Sequence, residues 1–202
     1  MSNDTFIREV NEEIRQERAR AIWQRYGIII IALISLIILR TIGYVVWERI
    51  AAGRSAVDGD RLIAAQELVA NGDFAGAETA LAALADDGTS QYPVIARMHL
   101  AGAQLQAGNP TAAVATYDAV AANGSAPRAL RDIASIRAAY ILVDHGTPED
   151  VRQRAEALTG EGEPLRHPAL EAIGLALWKA GDYAGAAQFF GQLVDDLSLI
   201  HI

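Results

Sequence analysis

Two kinds of hydrophobic pattern follow one another along the chain. An apolar run, YGIIIIALISLIIL, occupies residues 26–39, and TIGYVVW resumes it at 41–47 after a single charged residue, Arg40. Beyond residue 47, apolar residues recur with helical spacing in short segments that are separated by glycine. These patterns predict one apolar helix followed by a series of short amphipathic helices, and so an all-α chain.

The apolar run has the length and the flanks of a membrane span. Residues 26–47 would form a helix of about 33 Å, enough to cross a hydrocarbon core of about 30 Å. Trp23 and Tyr26 mark one end and Tyr44 and Trp47 the other, as the two membrane interfaces favour. No small-residue cleavage site follows the run closely, so we predict a retained transmembrane helix at 26–47 rather than a signal peptide.

Arg40 is the one charged residue inside this span. At the centre of a bilayer an arginine costs about 2.5–3.5 kcal/mol on the insertion scale. Because it lies seven residues before Trp47, its side chain can extend outward to the interface. The other interpretation, a polar contact with a partner helix inside the membrane, stays open.

Arginines are more frequent before the span than just after it. Arg49, Arg54 and Arg61 follow it, whereas five precede it: Arg8, Arg15, Arg18, Arg20 and Arg25. The positive-inside rule therefore predicts a cytoplasmic N-terminus and a remainder across the membrane, in the periplasm if the source is Gram-negative. Residues 1–25 are predicted as an amphipathic lead-in, either a solvated approach to the membrane or a docking helix.

The remainder contains an internal repeat. Four glycines separated by 36, 38 and 35 residues each follow a helical run and open a second one. The segments are GDFAGAETALAAL (72–84), GNPTAAVATYDAV (108–120), GTPEDVRQRAEAL (146–158) and GDYAGAAQFFGQL (181–193). Glycine suits the end of one helix, and the Asp, Asn or Thr after it can cap the next.

This arrangement resembles the tetratricopeptide repeat, a helix-turn-helix unit of 34 residues. The last copy carries the likeness best, with Ile173, Gly174, Ala186 and Phe190 at the family's packing positions. The third copy is degenerate, with Val151 where a small alanine is expected. We predict a solenoid of about four helix pairs within a domain at 48–196. The pairs are 56–71/73–86, 92–107/110–122, 127–145/148–159 and 168–180/182–196.

Composition narrows the function. Alanine, the best helix former, supplies 39 of the 202 residues. The absence of cysteine excludes disulfides, cysteine-ligated metals and a cysteine nucleophile. Residues 48–202 carry 11 basic and 20 acidic side chains, a poor composition for binding nucleic acid.

Candidate chemistry is sparse. The sequence contains neither a Walker loop, GxSxG nor GxGxxG, and its histidines show no metal-ligand spacing. We therefore expect no enzyme activity, no cofactor, no metal and no small-molecule substrate. The four histidines, His99, His145, His167 and His201, are expected to be structural or solvated.

The lead-in, FIREVNEEIRQERARAIWQRYG, followed by one anchor and a repeat domain, is similar to the YfgM-like family of Gram-negative bacteria. That resemblance implies a single-pass inner-membrane protein with a periplasmic tetratricopeptide-like domain. It also implies the translocon, a periplasmic chaperone and unfolded clients as partners, and no catalytic residue. The alternatives are a scaffold for another envelope machine, such as outer-membrane assembly, pilus biogenesis or cytochrome maturation, and a domain that binds a soluble ligand.

In this repeat architecture the first helix of each pair lines the concave face. The register then predicts an apolar protein-binding groove, for which the alternative is that these side chains form the core between helices. The predicted residues are Ile95, Met98, Leu105, Ile133, Ile136, Tyr140, Leu175 and Trp178. The apolar tail at 197–202 is expected to be non-native, because LSLIHI resembles translated adapter sequence; a real short tail is the alternative.

Overall fold

The computed structural model describes the backbone of residues 3–198, and the side chains of Arg20 and of residues 23–196. All regular structure in this part of the chain is helical. The α-helices are α1 (Asn3–Ala70), α2 (Phe74–Asp87), α3 (Tyr92–Gln106), α4 (Pro110–Ala121), α5 (Arg128–His145), α6 (Pro148–Ala155), α7 (Arg166–Lys179) and α8 (Tyr183–Ser198). A short 3₁₀ helix occupies Glu156–Leu158. The predicted all-α fold is confirmed.

The chain divides into two units, residues 1–53 and 54–202. In the first unit, α1 contains a stretch of mean hydropathy 2.5 with none of it buried. Among the described residues it is the one helix long and apolar enough to cross a membrane. Large side chains are exposed all along the predicted span, Ile28 to 86%. The predicted lead-in is helical from Asn3, although most of its side chains lie outside the described residues.

The second unit consists of helix pairs whose ends agree closely with the predicted ones. The end of α1 pairs with α2, α3 with α4, α5 with α6, and α7 with α8. Neither Gly53 nor Gly59 interrupts α1. Helix α8 extends to Ser198, and residues 199–202 of the predicted tail lie outside the described residues.

Three of the four repeat turns are built alike. Gly72, Gly108 and Gly181 have φ of 79°, 80° and 85°, a left-handed conformation that glycine adopts without steric strain. The next residue, such as Asp73, then caps the following helix by accepting a hydrogen bond from a backbone N–H. The third turn differs, because Gly146 is extended and Thr147 forms a capping box with Asp150.

The core between helices is made largely of alanine. Ala77, Ala113 and Ala186, each five residues after a turn glycine, are exposed by 2% or less. Small side chains here let the two helices of a pair approach closely, and larger ones such as Leu81 and Leu170 fill the space beside them. In the third pair this position holds Val151, fully buried, and α6 ends four residues later.

Polar side chains connect neighbouring repeats. Arg154 Nη2 lies 2.7 Å from Asp118 Oδ2, and Lys179 Nζ lies 2.8 Å from Asp144 Oδ1. Such exposed pairs contribute little individually, typically below about 1 kcal/mol. A buried carboxylate, Asp58 on α1, accepts hydrogen bonds from the backbone N–H of Thr89 at 2.7 Å and from its hydroxyl at 2.6 Å. Asp58 therefore fixes this part of α1 to the connection between α2 and α3.

Candidate protein-binding groove

Two neighbouring cavities open along the first helices of the repeats. The first, of about 220 Å³, is lined by Gln66, Val69, Leu81, Met98, His99, Gly102, Ala103, Gln106 and Arg137. The second, of about 360 Å³, is lined by Leu105, Tyr117, Arg137, Tyr140 and Ile141. Because the two cavities share Arg137, we treat them as one groove, formed mainly by α1, α3 and α5.

The second helices contribute one residue each to the groove, Leu81 from α2 and Tyr117 from α4. Tyr117 of α4 is buried to 3% exposure, and its ring lies under the guanidinium of Arg137, 6.0 Å from Cζ to the ring centroid. Arg137 Nη1 also donates a weak hydrogen bond to the Tyr117 hydroxyl at 3.4 Å. A guanidinium over an aromatic face is favourable, so this contact helps to hold Arg137 in place.

The remaining polar groups of the groove are held in neutral form. His99 Nε2 lies 3.3 Å from Gln66 Nε2, and burial together with the charge of Arg137 lowers the His99 pKa. The Tyr140 hydroxyl donates to Glu171 Oε2 at 2.8 Å. Burial and this carboxylate raise the pKa of Tyr140, so the phenol stays protonated. At neutral pH the formal charge of the lining is therefore that of Arg137.

Charge in the groove contrasts with charge elsewhere in the domain. None of the lining residues is acidic, although residues 48–202 contain 20 acidic side chains. Arg137 forms no ion pair with any residue of the described part. By comparison, Arg61, Arg97, Arg128, Arg154 and Arg166 each pair with a carboxylate.

The structure gathers some of the predicted groove residues and separates others. Met98, Leu105 and Tyr140 line the groove, Met98 buried and Leu105 39% exposed. The others lie outside both cavities: Ile95, Ile133 and Leu175 are half-buried, Ile136 is core, and Trp178 is 58% exposed. Arg40, the candidate membrane contact, is exposed on α1.

The prediction missed the polar residues of the groove. His99 and Arg137 each lie nine residues before a turn glycine, Gly108 and Gly146. They therefore occupy the same repeat position on successive first helices, and this register was available in the sequence. A prediction based on apolar residues alone leaves out His99 and Arg137.

The described residues contain no group of three His, Cys, Asp or Glu side chains that could hold a metal ion. His167 Nε2 lies 3.8 Å from Asp196 Oδ2, where Arg166 Nε also binds Asp196 at 2.6 Å. His145 is exposed at the end of α5, and His201 lies outside the described residues.

The repeat pattern is found in a known family. A family described as "Tetratricopeptide repeat-like domain" matches residues 20–195 of the chain. No curated protein matches the chain, and no solved structure does.

Proposed function

The chain belongs to the tetratricopeptide repeat-like domain family, and we propose that it is a membrane-anchored protein–protein interaction module whose groove binds partners. The observation that carries this proposal is the groove itself. Two open cavities lie on successive first helices, where stacked repeats place a continuous surface, and the second of them has mainly apolar walls. Exposed apolar surface of this kind is typical of interaction sites.

The anchoring half of the proposal rests on α1. Its apolar stretch is long enough to cross a bilayer, and its large side chains are exposed rather than packed. The excess of arginines before residue 26 supports a cytoplasmic N-terminus and a repeat domain on the periplasmic side of a bacterial inner membrane.

For the partners, we propose the inner-membrane translocon, a periplasmic chaperone and unfolded clients in protein secretion. This finer proposal rests on the likeness of the lead-in and anchor to the YfgM-like family. Tyr140 in the groove supports it, because aromatic side chains are enriched at protein–protein interfaces. The competing role is a scaffold in another envelope assembly machine.

Crosslinking of the full chain in its native membranes, with identification of the adducts by mass spectrometry, separates these roles. Translocon and chaperone subunits among the adducts support the secretion role. Subunits of another envelope machine support the scaffold role instead. The double variant Leu105→Ala with Tyr140→Ala, at two residues that line the second cavity, should lose these adducts while circular dichroism shows an intact fold. Tyr183→Ala, on the exposed surface of α8, is the matched control and should retain them. Unchanged adducts in the double variant place the interface elsewhere.

Orientation has its own test. A reporter that is active only in the periplasm, fused after residue 196, should be active. Activity of a cytoplasmic reporter at the same position, with none from the periplasmic one, overturns the proposed localisation.

A further inference from the structure

Arg137 stands where the two cavities of the groove meet. Its guanidinium is exposed, rests on the Tyr117 ring and makes a single long hydrogen bond to the hydroxyl of that residue. A guanidinium has five N–H donors, so most of its donors are free to bind something else. The fork geometry matches a carboxylate, to which two parallel hydrogen bonds can form.

The surroundings of Arg137 favour a negatively charged ligand. The lining contains no carboxylate that could neutralise the guanidinium in place of a ligand, whereas five other arginines of the domain are neutralised internally. The neutral Gln66, His99 and Gln106 lie along the first cavity and can accept or donate to a peptide backbone. Arg137 is therefore a cation without an ion pair that lines the groove of an otherwise acidic domain.

The second cavity favours a ligand that carries an apolar side chain. Leu105, Tyr140 and Ile141 line it beside Arg137, and Tyr117 closes its base. A ligand whose carboxylate binds Arg137 would place a neighbouring side chain against these walls. Leucine, methionine or phenylalanine would fill such a space, since burial of one such side chain contributes roughly 1.5–3 kcal/mol.

The geometry points to a carboxylate-reading site: Arg137 binds an acidic side chain of a partner's extended segment, while the second cavity takes an apolar side chain next to it. This inference rests on the proposed function, because it names the chemistry of the segment that the groove binds. The site requires no movement of the helices, since both cavities are open in the structure.

The test uses the full chain in detergent micelles and peptide pools with a neutral fluorescent label. Each pool consists of nonapeptides with amidated C-termini, randomised over Gly, Ala, Ser, Leu, Met and Phe except at the centre. One pool has Asp or Glu at the centre and the other has Asn or Gln, so that the pools differ in charge alone. Fluorescence anisotropy gives the average dissociation constant of each pool.

We expect the acidic pool to bind about tenfold more tightly than the amide pool, or more, as a charge-assisted bidentate contact implies. Arg137→Gln should abolish this difference, so that the ratio of the two dissociation constants falls to about one. Arg137→Lys should retain part of it, because it keeps the charge but loses the fork. Arg152→Gln removes a guanidinium that lies over Phe189 instead, and should behave as the wild type.

The outcomes separate this inference from the proposed function. Equal binding of both pools to the wild-type chain, or an acidic preference that survives Arg137→Gln, overturns the carboxylate-reading site and leaves a peptide-binding groove in place. If neither pool binds, the carboxylate-reading site and the peptide-binding groove are both wrong. The wild-type comparison needs no substitution, so it stands even if a variant fails to fold.

Discussion

The predicted membrane span and the repeat domain use hydrophobic residues in opposite ways. In the span, isoleucine and leucine surround the helix, and their side chains are exposed on every side. In the domain, the residues with no exposed surface are mostly alanines, such as Ala65, Ala96 and Ala134, at contacts between helices. A helix that is apolar all round needs an external apolar phase, whereas a narrow stripe of small residues needs only a neighbouring helix.

Residue size, as well as hydropathy, therefore distinguishes a helix that faces lipid from a helix that packs against its neighbour. Large apolar side chains maximise contact with lipid, and small ones allow backbones to approach closely. A charge should therefore be most harmful in the span, and added volume most harmful at the helix contacts.

The largest effect is expected from charge in the span. Ile34→Asp combined with Leu36→Asp should prevent stable insertion, because each aspartate near the centre costs about 2.5–3.5 kcal/mol. The measurement is resistance of the chain to carbonate extraction from membranes. Val57→Asp with Ile63→Asp, at exposed positions of the domain, is the control and should leave the chain membrane-bound. Full resistance of the span variant would mean that the span assignment is wrong.

The next effect is expected from volume at a helix contact. Ala186 is 2% exposed between α7 and α8, so Ala186→Leu should overpack the contact and destabilise the domain by about 1–3 kcal/mol. Ala184→Leu adds the same volume at an exposed position of α8 and should be close to neutral. Denaturant unfolding of both variants measures the difference. Equal stability would show that the repeat register is incorrect.

A pH-dependent effect is expected at Asp58. Its hydrogen bonds with the hydroxyl and backbone of Thr89, and then its contact with Arg61, lower its pKa. A carboxyl whose pKa is lower when folded stabilises the fold above its unfolded pKa, near 3.9, and loses this contribution as the pH falls through its folded pKa.

Asp58→Asn should therefore destabilise the domain at pH 6, and the gap between variant and wild type should narrow as the pH is lowered below 4. Unfolding free energies measured across this range check the prediction. Asp60→Asn, at an exposed position two residues away, is the control. A gap that is independent of pH would contradict an ionised, hydrogen-bonded Asp58.

The smallest effects are expected at two glycines that face aromatic rings of the second helices. A Cβ on Gly174 would lie 2.7 Å from the Phe190 ring, whereas a Cβ on Gly102 would lie 3.9 Å from the Tyr117 hydroxyl. Gly102→Ala should stabilise the domain by up to about 1 kcal/mol through helix propensity. Gly174→Ala should lose at least that gain to overpacking. Thermal unfolding of the pair gives the comparison, and equal shifts in Tm would contradict the closer approach of α7 and α8.

Much of the fold was predictable because the repeat fixes it. Turn glycines, caps and helical spacing are local signals, and they predict the helix ends of the repeat domain to within four residues, except for the start of the first helix, because α1 runs unbroken from Asn3. The extended conformation of Gly146 was not predictable, since its sequence context, a glycine before Thr147, differs little from the left-handed turns.

The candidate groove was predictable only in part. The repeat register predicts Met98, Leu105 and Tyr140, which line the two cavities. Ile136 has the same register as Met98, yet it lies in the core between helices. Whether a first-helix residue lines a cavity or fills a contact depends on the neighbouring helices, which single-chain periodicity does not describe. Arg137 has a positional signal, yet its lack of a partner is visible only in three dimensions.

Position-resolved photo-crosslinking in native membranes distinguishes contact of α1 with lipid from contact of the groove with protein partners. A photoreactive residue at Ile34 should yield lipid adducts, one at Leu105 should yield protein adducts, and one at Thr79, exposed on α2, should yield neither. Protein adducts that form equally from Thr79 and Leu105, or an absence of lipid adducts from Ile34, would contradict the account.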